Sequence, residues 1–153
     1  MKDFDKALEV VNSDCGNVLI VGGDCSGKSK VLEMITAYLL GKENIFAMSN
    51  SSKIRGMINS HPDSTYVYKS SGGKVNKDII GNIEQKTVLV DEYPDINELI
   101  SQLEIDKRII MTYHAESLEE IPAIMYKYFP VIVQCKTINE QTKEKGISQV
   151  IYK

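Results

Sequence analysis

The chain has 153 residues, of which 42% are hydrophobic and 25% are charged. This composition is typical of one globular domain and excludes collagen-like, disordered and disulfide-stapled classes. Eighteen Lys and Arg residues against 21 Asp and Glu residues give a formal net charge of −3. A net negative charge argues against a domain-wide electrostatic surface for DNA or RNA, so no direct nucleic-acid partner is predicted.

The cysteines and the N-terminus indicate the compartment. Three widely separated cysteines, Cys15, Cys25 and Cys135, suit reduced thiols better than a disulfide framework. The first ten residues contain no apolar signal core, and no run reaches the roughly 18 apolar residues of a membrane span. We therefore expect a cytoplasmic protein that forms one domain over residues 1–153, with a helix within residues 1–15 and a core over residues 16–153.

Apolar strands and amphipathic helices alternate along the chain. After a predicted helix at residues 6–11, short β-branched runs predict buried strands at 17–21, 87–90, 108–111 and 131–133. Helical spacing is clearest at residues 31–39, ended by Gly41, and further helices are predicted at 76–83, 96–103 and 118–128. Segments 49–52 and 70–73 are predicted loops. Such alternation predicts a doubly wound α/β fold with a mostly parallel sheet.

The C-terminal segment departs from this alternation. Residues 130–136 and 146–152 both have strand character, and they flank a polar stretch at 137–145. We predict an antiparallel hairpin at one edge of the sheet, with a mobile loop over 137–145.

A glycine-rich phosphate loop follows the first strand directly and precedes the clearest helix. Its eight residues match G-x-x-x-x-G-K-[ST]: Gly22, Gly23, Asp24, Cys25, Ser26, Gly27, Lys28 and Ser29. Glycines let backbone N–H groups turn towards phosphates, and the helix N-terminus favours the negative charge. Lys28 is expected to reach the β- and γ-phosphates, and the Ser29 hydroxyl to bind Mg²⁺. The alternative is a glycine-rich turn that contacts no phosphate.

Two carboxylates, Asp91 and Glu92, end the strand predicted at 87–90. Open α/β sheets bind ligands at the carboxyl ends of their strands, where a carboxylate can hold Mg²⁺ and a second can activate water. Asp91 is the metal candidate and Glu92 the catalytic candidate. The alternative is a solvated strand end.

A third polar strand end follows residues 108–111. Thr112 and His114 are expected at the same edge as Gly22 and Asp91, where a polar group can sense the γ-phosphate. The alternative for His114 is an ordinary hydrogen-bonded surface residue. His61 has no such setting and receives no role.

Together these motifs resemble the ATPase domain of the type II/type IV secretion-system ATPase family, the motors of conjugation, secretion and pilus assembly. The resemblance rests on the phosphate loop and on residues 65–68, 73–80, 88–92, 112–117 and 131–134. It implies a RecA-like P-loop NTPase fold, ATP and Mg²⁺ as cofactors, and hydrolysis coupled to macromolecular transport. It also implies a homo-oligomeric ring or a larger transport complex, with peripheral membrane association through partners. By this resemblance His114 becomes the γ-phosphate sensor and Glu92 the glutamate of the Walker B motif.

The chain departs from that family at several positions. Asp91 stands where the family usually has glycine, and the strand at residues 45–50 ends without the family's acidic "Asp box". Pro94 occupies the place of a usual arginine, and fifteen N-terminal residues are too few for the family's N-terminal domain. These departures favour an alternative, a nucleotide-binding regulatory module with little or no turnover.

A small-molecule kinase is a third possibility, because it would share the phosphate loop. Such enzymes usually need several arginines on the acceptor and donor phosphates. The chain has two, Arg55 and Arg108, which makes this the weakest of the three hypotheses.

Overall fold

The computed structural model describes residues 5–6, 8–9, 11, 16–68, 84–92 and 107–152. Its strands are β1 (Val18–Gly22), β2 (Ile45–Ser49), β3 (Thr65–Tyr68), β4 (Thr87–Val90), β5 (Arg108–His114), β6 (Val131–Asn139) and β7 (Glu144–Tyr152). Its helices are α1 (Lys28–Leu40), α2 (Ser52–Asn59), a short 3₁₀ helix (Leu118–Glu120) and α3 (Ala123–Tyr128). Residues 5, 6, 8, 9 and 11 are also helical.

The strands form one seven-stranded sheet in the order β3-β2-β4-β5-β1-β6-β7. All neighbouring pairs are parallel except β6 and β7, which are antiparallel. The carboxyl ends of β1, β4 and β5 therefore lie at one edge of the sheet, with β5 between β1 and β4. The predicted α/β class and the antiparallel edge hairpin are confirmed.

Two apolar layers cover the two faces of the sheet, which explains why β1 is apolar at every position from Val18 to Val21. Along β1, Val18 and Ile20 pack with α1 and α2 on one face. Leu19 and Val21 pack with α3 and Phe129 on the other face. Because successive strand residues point to opposite faces, a strand buried on both sides shows no polar alternation.

Several predicted boundaries shift in the structure. The segment predicted as a helix at 118–128 is divided by Pro122, which has no N–H to continue a helix, and only Ala123–Tyr128 is α-helical. The predicted loop at 137–145 is wrong in extent, because β6 runs to Asn139 and β7 starts at Glu144. The Asn139 side chain accepts hydrogen bonds from Gln141 and Thr142 N–H and closes a short turn.

The loop predicted at residues 49–52 is wrong, and helix α2 is not predicted from the sequence. In the structure Ser49 ends β2, and Ser51 Oγ accepts a hydrogen bond from Ile54 N–H at 3.3 Å and caps the N-terminus of α2. The helices predicted at 76–83 and 96–103 lie outside the described residues. Within the described ranges, no helix has the length and hydrophobicity that crossing a membrane requires.

We predict that Ile110→Ala lowers the free energy of unfolding by about 2–5 kcal/mol, the usual cost of removing a fully buried aliphatic side chain. Ile110 lies on β5 between Leu89 and Val18 of the neighbouring strands and has no exposed surface. Tyr68→Ala is the control, because Tyr68 is 68% exposed and its loss should change stability by no more than about 0.5 kcal/mol. Urea unfolding measures both, and equal effects would contradict the two-layer core.

Candidate functional site

The phosphate loop connects the end of β1 at Gly22 to the start of α1 at Lys28. Within it, Cys25 (φ 56°) and Gly27 (φ 92°) have left-handed backbone conformations. Left-handed residues among right-handed ones turn successive N–H groups to the same side, which makes an anion-binding concavity. Gly27 is the N-cap of α1, a position where a residue with a side chain would be strained.

The loop folds back closely onto the strand that precedes it. A Cβ at Gly22 would clash with Ser26 Oγ and lie 2.9 Å from the Cys135 carbonyl oxygen of β6. Ser26 is buried, and within the described part of the chain its hydroxyl has no hydrogen-bond partner. A buried polar group is normally paired, so this loop keeps a hydrogen-bonding group that a phosphate oxygen can satisfy.

Lys28 is the buried cation of the loop, with only 6% of its surface exposed. Its Nζ donates a hydrogen bond to the Gly23 carbonyl at 3.2 Å and forms an ion pair with Glu92 Oε1 at 3.3 Å. The Lys28 ammonium therefore lies over the loop and connects it to the end of β4.

Thr112, in β5, holds the two carboxylate-bearing residues that follow β4. Its hydroxyl donates to Asp91 Oδ1 at 2.7 Å and accepts from Glu92 N–H at 2.8 Å. Thr112 has no exposed surface, while Glu92 has a left-handed backbone with φ 54°. One buried hydroxyl thus stabilises the turn that directs Glu92 towards Lys28.

His114 ends β5 directly opposite Gly22. Its Nδ1 lies 3.5 Å from Asp24 Oδ1 and its Nε2 lies 3.8 Å from Glu116 Oε1. The Glu116 carboxylate also packs where a Cβ on Gly23 would be. All three side chains are about half exposed or more, so solvent screens these contacts strongly.

The oxygen atoms of Ser29 and Asp91 fit the predicted role in binding Mg²⁺. Ser29 is exposed on the first turn of α1, and Asp91 is half-buried at the end of β4. Hydroxyl and carboxylate oxygens are ligands that this hard cation prefers. The loop turns its backbone inward and has a Ser26 hydroxyl without a partner among the described residues, so it fits the phosphates that would share the ion.

The β6–β7 hairpin lies beside the phosphate loop. A Cβ at Gly27 would lie 3.1 Å from Lys145 Cβ and 3.7 Å from the Gly146 backbone nitrogen. Lys145 Nζ donates a hydrogen bond to Thr137 Oγ1 on the opposite strand at 2.6 Å. No sequence motif indicated this contact, since it depends on the register of the two strands.

The two arginines lie in different places. Arg108 begins β5 at the opposite, amino edge of the sheet, where its Nε donates to the Gly16 carbonyl at 2.9 Å. Arg55 is exposed on α2 and lines a surface cleft of about 580 Å³ together with Tyr66.

Tyr66 links that cleft to the end of β2, because its hydroxyl donates to the Ser49 carbonyl at 2.6 Å. Burial raises the pKa of the Tyr66 hydroxyl; Arg55 lowers this pKa, while Tyr68 and Asp91 raise it. The neutral hydroxyl that donates to Ser49 is therefore the favoured form.

The structure brings the predicted site residues to one edge of the sheet. Lys28 contacts Glu92, Asp91 shares the Thr112 hydroxyl with the Glu92 backbone, and His114 lies beside Gly22 through strand pairing. Sequence reasoning placed Thr112 at this edge without assigning it a role, and it assigned none to Glu116, Thr137 or Lys145. The position of Thr112 at the end of an apolar strand was the available signal for its role.

Comparisons with known proteins indicate the family and the fold of the chain. A family model described as novel STAND NTPase 3 matches residues 1–153. No curated protein sequence matches the chain.

Solved structures with the same fold include two ATPases and a pilus retraction motor. The VirB11 ATPase of the Brucella suis type IV secretion system, in complex with sulphate, has a TM-score of 0.64 at 14% identity over 97% of this chain and 50% of its own. The Legionella pneumophila ATPase DotB has a TM-score of 0.65 at 16% identity, over 94% of this chain and 46% of its own. The pilus retraction motor PilT with bound ADP has a TM-score of 0.65 at 14% identity, over 97% of this chain and 50% of its own.

These likenesses confirm the predicted resemblance to secretion ATPases in the fold, a RecA-like P-loop architecture. The chain spans about half the length of those three structures.

We predict that Thr112→Val lowers the free energy of unfolding by about 1–3 kcal/mol, because it keeps the shape and removes the hydroxyl that bonds the half-buried Glu92 N–H and the Asp91 carboxylate. Thr112→Ser keeps the hydroxyl and should recover most of that loss. Denaturant unfolding of the two variants separates lost hydrogen bonds from lost packing. A Thr112→Val protein as stable as the wild type would show that the hydroxyl does not hold this turn.

Proposed function

The chain belongs to the novel STAND NTPase 3 family, and from this membership and the site geometry we propose that it binds Mg²⁺–ATP and hydrolyses it. The observation that carries the proposal is the contact of the buried Lys28 ammonium with both the phosphate loop and Glu92. Residues 1–153 would act as one P-loop NTPase domain. The ADP held by PilT and the sulphate held by VirB11 support a phosphate-binding role for this fold.

The loop is proposed to bind the phosphates through its backbone. N–H groups of residues 23–29 would surround the β-phosphate, and the Ser26 hydroxyl would gain a partner, which no residue in the described part of the chain provides. Lys28 would release the Gly23 carbonyl and bind β- and γ-phosphate oxygens, which are stronger acceptors because they are charged. Ser29 and Asp91 would hold Mg²⁺, which when bound neutralises charge on the β- and γ-phosphates.

Glu92 is proposed to orient and deprotonate the attacking water. In the described geometry its carboxylate pairs with Lys28 at 3.3 Å. Phosphate binding to Lys28 would weaken this ion pair, and the carboxylate would then bind water at the γ-phosphate end. His114, two residues beyond Thr112 on the same strand, would contact the γ-phosphate and report its presence.

A nucleotide-binding regulatory module with slow turnover is the second candidate, and the positions of the arginines favour it. Arg108 is at the opposite edge of the sheet and Arg55 is exposed on α2. Where an arginine stabilises the transition state, it contributes about 10³–10⁵ in rate. Unless a neighbouring subunit supplies such an arginine, the chain would bind ATP but hydrolyse it slowly.

Coupling of hydrolysis to macromolecular transport, in a ring or a larger complex, belongs to the same proposal. Its support is the fold shared with the VirB11 ATPase of a type IV secretion system and with the pilus retraction motor PilT. A partner that completes the site would be one source of the missing arginine.

We predict that Lys28→Met weakens ATP binding by at least about tenfold, because it removes a charge-assisted contact to the phosphates. Isothermal titration calorimetry with Mg²⁺–ATP measures the change. Lys53→Met is the matched control, since the Lys53 side chain is 79% exposed and its ion pair with Glu33 spans 4.0 Å. Equal ATP affinity in Lys28→Met and wild type would reject the phosphate loop as the binding site.

We predict that Glu92→Gln lowers the rate of phosphate release by about 10²- to 10⁴-fold, the usual contribution of a positioned general base. ATP affinity should stay equal or rise, because the amide no longer repels phosphate or competes for Lys28. Glu119→Gln, at an exposed position of the 3₁₀ helix, is the control. If the wild type releases phosphate no faster than Glu92→Gln while binding ATP tightly, the regulatory module is the correct reading.

A further inference from the structure

We propose that Lys145 of the β6–β7 hairpin is a second cation of the nucleotide site and binds the α-phosphate of a nucleoside di- or triphosphate. This inference rests on the proposed function, because it assigns a new contact within the same site. Three observations carry it: the order of strands around β1, the contact of the hairpin with Gly27, and the distribution of charge along the phosphate loop.

The strand order fixes the direction of the phosphate chain. β5 and then β4 lie on one side of β1, while β6 and β7 lie on the other. Lys28 and Glu92 meet on the β4 side, so the γ-phosphate end of the nucleotide belongs there. A triphosphate that crosses the loop from that side directs its α-phosphate towards β6 and β7.

The hairpin extends far enough to receive it. β6 pairs with β1 only as far as Gln134, opposite Val21, and residues 135–139 continue beyond the edge of the sheet. At the start of that extension the Cys135 carbonyl lies 2.9 Å from the Cβ position of Gly22. Lys145, on the returning strand, has its Cβ 3.1 Å from the position that a Cβ on Gly27 would occupy, at the N-terminus of α1.

The charges around the loop are unevenly distributed. Four carboxylates lie at or beside its β4–β5 side, and they belong to Asp24, Asp91, Glu92 and Glu116. Mg²⁺ and the loop lysine neutralise the β- and γ-phosphates in enzymes of this kind. The α-phosphate keeps a negative charge that these groups do not balance, and it lies on the side where Lys145 is found.

Lys145 is available for such a contact. It is exposed, and its Nζ is held by the neutral Thr137 hydroxyl at 2.6 Å. Among the residues that the structure describes, Lys145 forms no ion pair, whereas Lys143 at the hairpin turn pairs with Glu140 at 3.4 Å. Exchange of a hydroxyl for a phosphate oxygen replaces a neutral acceptor with a charged one, which gives a stronger hydrogen bond.

The test compares ADP and ATP binding by calorimetry in wild type, Lys145→Met and Lys143→Met, at one fixed salt concentration. Both ligands carry an α-phosphate, so Lys145→Met should lower the affinity for ADP and for ATP by the same factor, about tenfold. If the wild type turns over, KM for ATP should rise by a similar factor while kcat falls by less than about threefold. Lys143→Met should bind both nucleotides as the wild type does.

Three results would overturn the inference. If Lys145→Met loses affinity for ATP but not for ADP, Lys145 contacts the γ-phosphate instead. Equal affinities in Lys145→Met and wild type would remove it from the site. A loss in Lys30→Met and not in Lys145→Met would assign the α-phosphate to the first turn of α1, where Lys30 is exposed.

The outcomes also separate this inference from the proposed function. If the wild type binds neither ADP nor ATP, both fall together. If the wild type binds both nucleotides and Lys145→Met binds them equally well, only the role of Lys145 is rejected. Thr137→Val keeps the cation and alters the hairpin face, so retained affinity in that variant, within about threefold, attributes the effect to charge. An equal loss in Thr137→Val would attribute it to hairpin shape and overturn the role of the Lys145 ammonium.

Discussion

The ion pair between the Lys28 ammonium and the Glu92 carboxylate is the contact around which the edge of the sheet is organised. Removing a lysine from water is costly unless partners replace its hydration, and Lys28 is almost fully buried. Its partners come from two separate elements, the Gly23 carbonyl in the loop and Glu92 after β4. Both can reach the ammonium only because the parallel strands end at the same edge.

The strand between those two elements determines how they meet. β5 separates β1 from β4, and its Thr112 and His114 are two residues apart, so their side chains point to the same face. The Thr112 hydroxyl fixes the turn of Asp91 and Glu92, while His114 lies opposite Gly22. One strand therefore holds the acidic turn on one side and contacts the start of the phosphate loop on the other.

The sequence predicted those parts of the site whose chemistry is local. The phosphate loop is a contiguous pattern, because glycine conformation and helix start are set by neighbouring residues. The carboxylates could be placed because an apolar strand ended at Asp91, and parallel topology brings such ends together. The Thr112 hydrogen bonds depend instead on residues 20 and 21 positions apart, so no local pattern encodes them.

Long-range pairing also explains the errors in the fold. The residues at 137–145 are polar and resemble a loop, yet Thr137 and Lys145 face each other in an antiparallel ladder whose hydrogen bonds do not depend on side-chain polarity. Two other errors have local causes. Pro122 lacks the N–H that a continuous helix needs, but the helical spacing of residues 118–128 conceals this break. The Ser51 hydroxyl caps a helix, but the serine-rich sequence around it is also typical of a loop. Propensity predicted elements best where two-sided burial made the whole segment apolar.

The distribution of charge gives the site a direction. Carboxylates concentrate on the β4–β5 side of the loop, where Mg²⁺ would share the γ-phosphate end with them, and the exposed Lys145 of the hairpin lies on the other side. A nucleotide that bound in reverse would place its γ-phosphate away from Glu92 and its uncharged nucleoside among the carboxylates. Charge complementarity would therefore select one orientation before any transition-state interaction acts, and this matters more in a chain whose two arginines are not among the contacts of the loop.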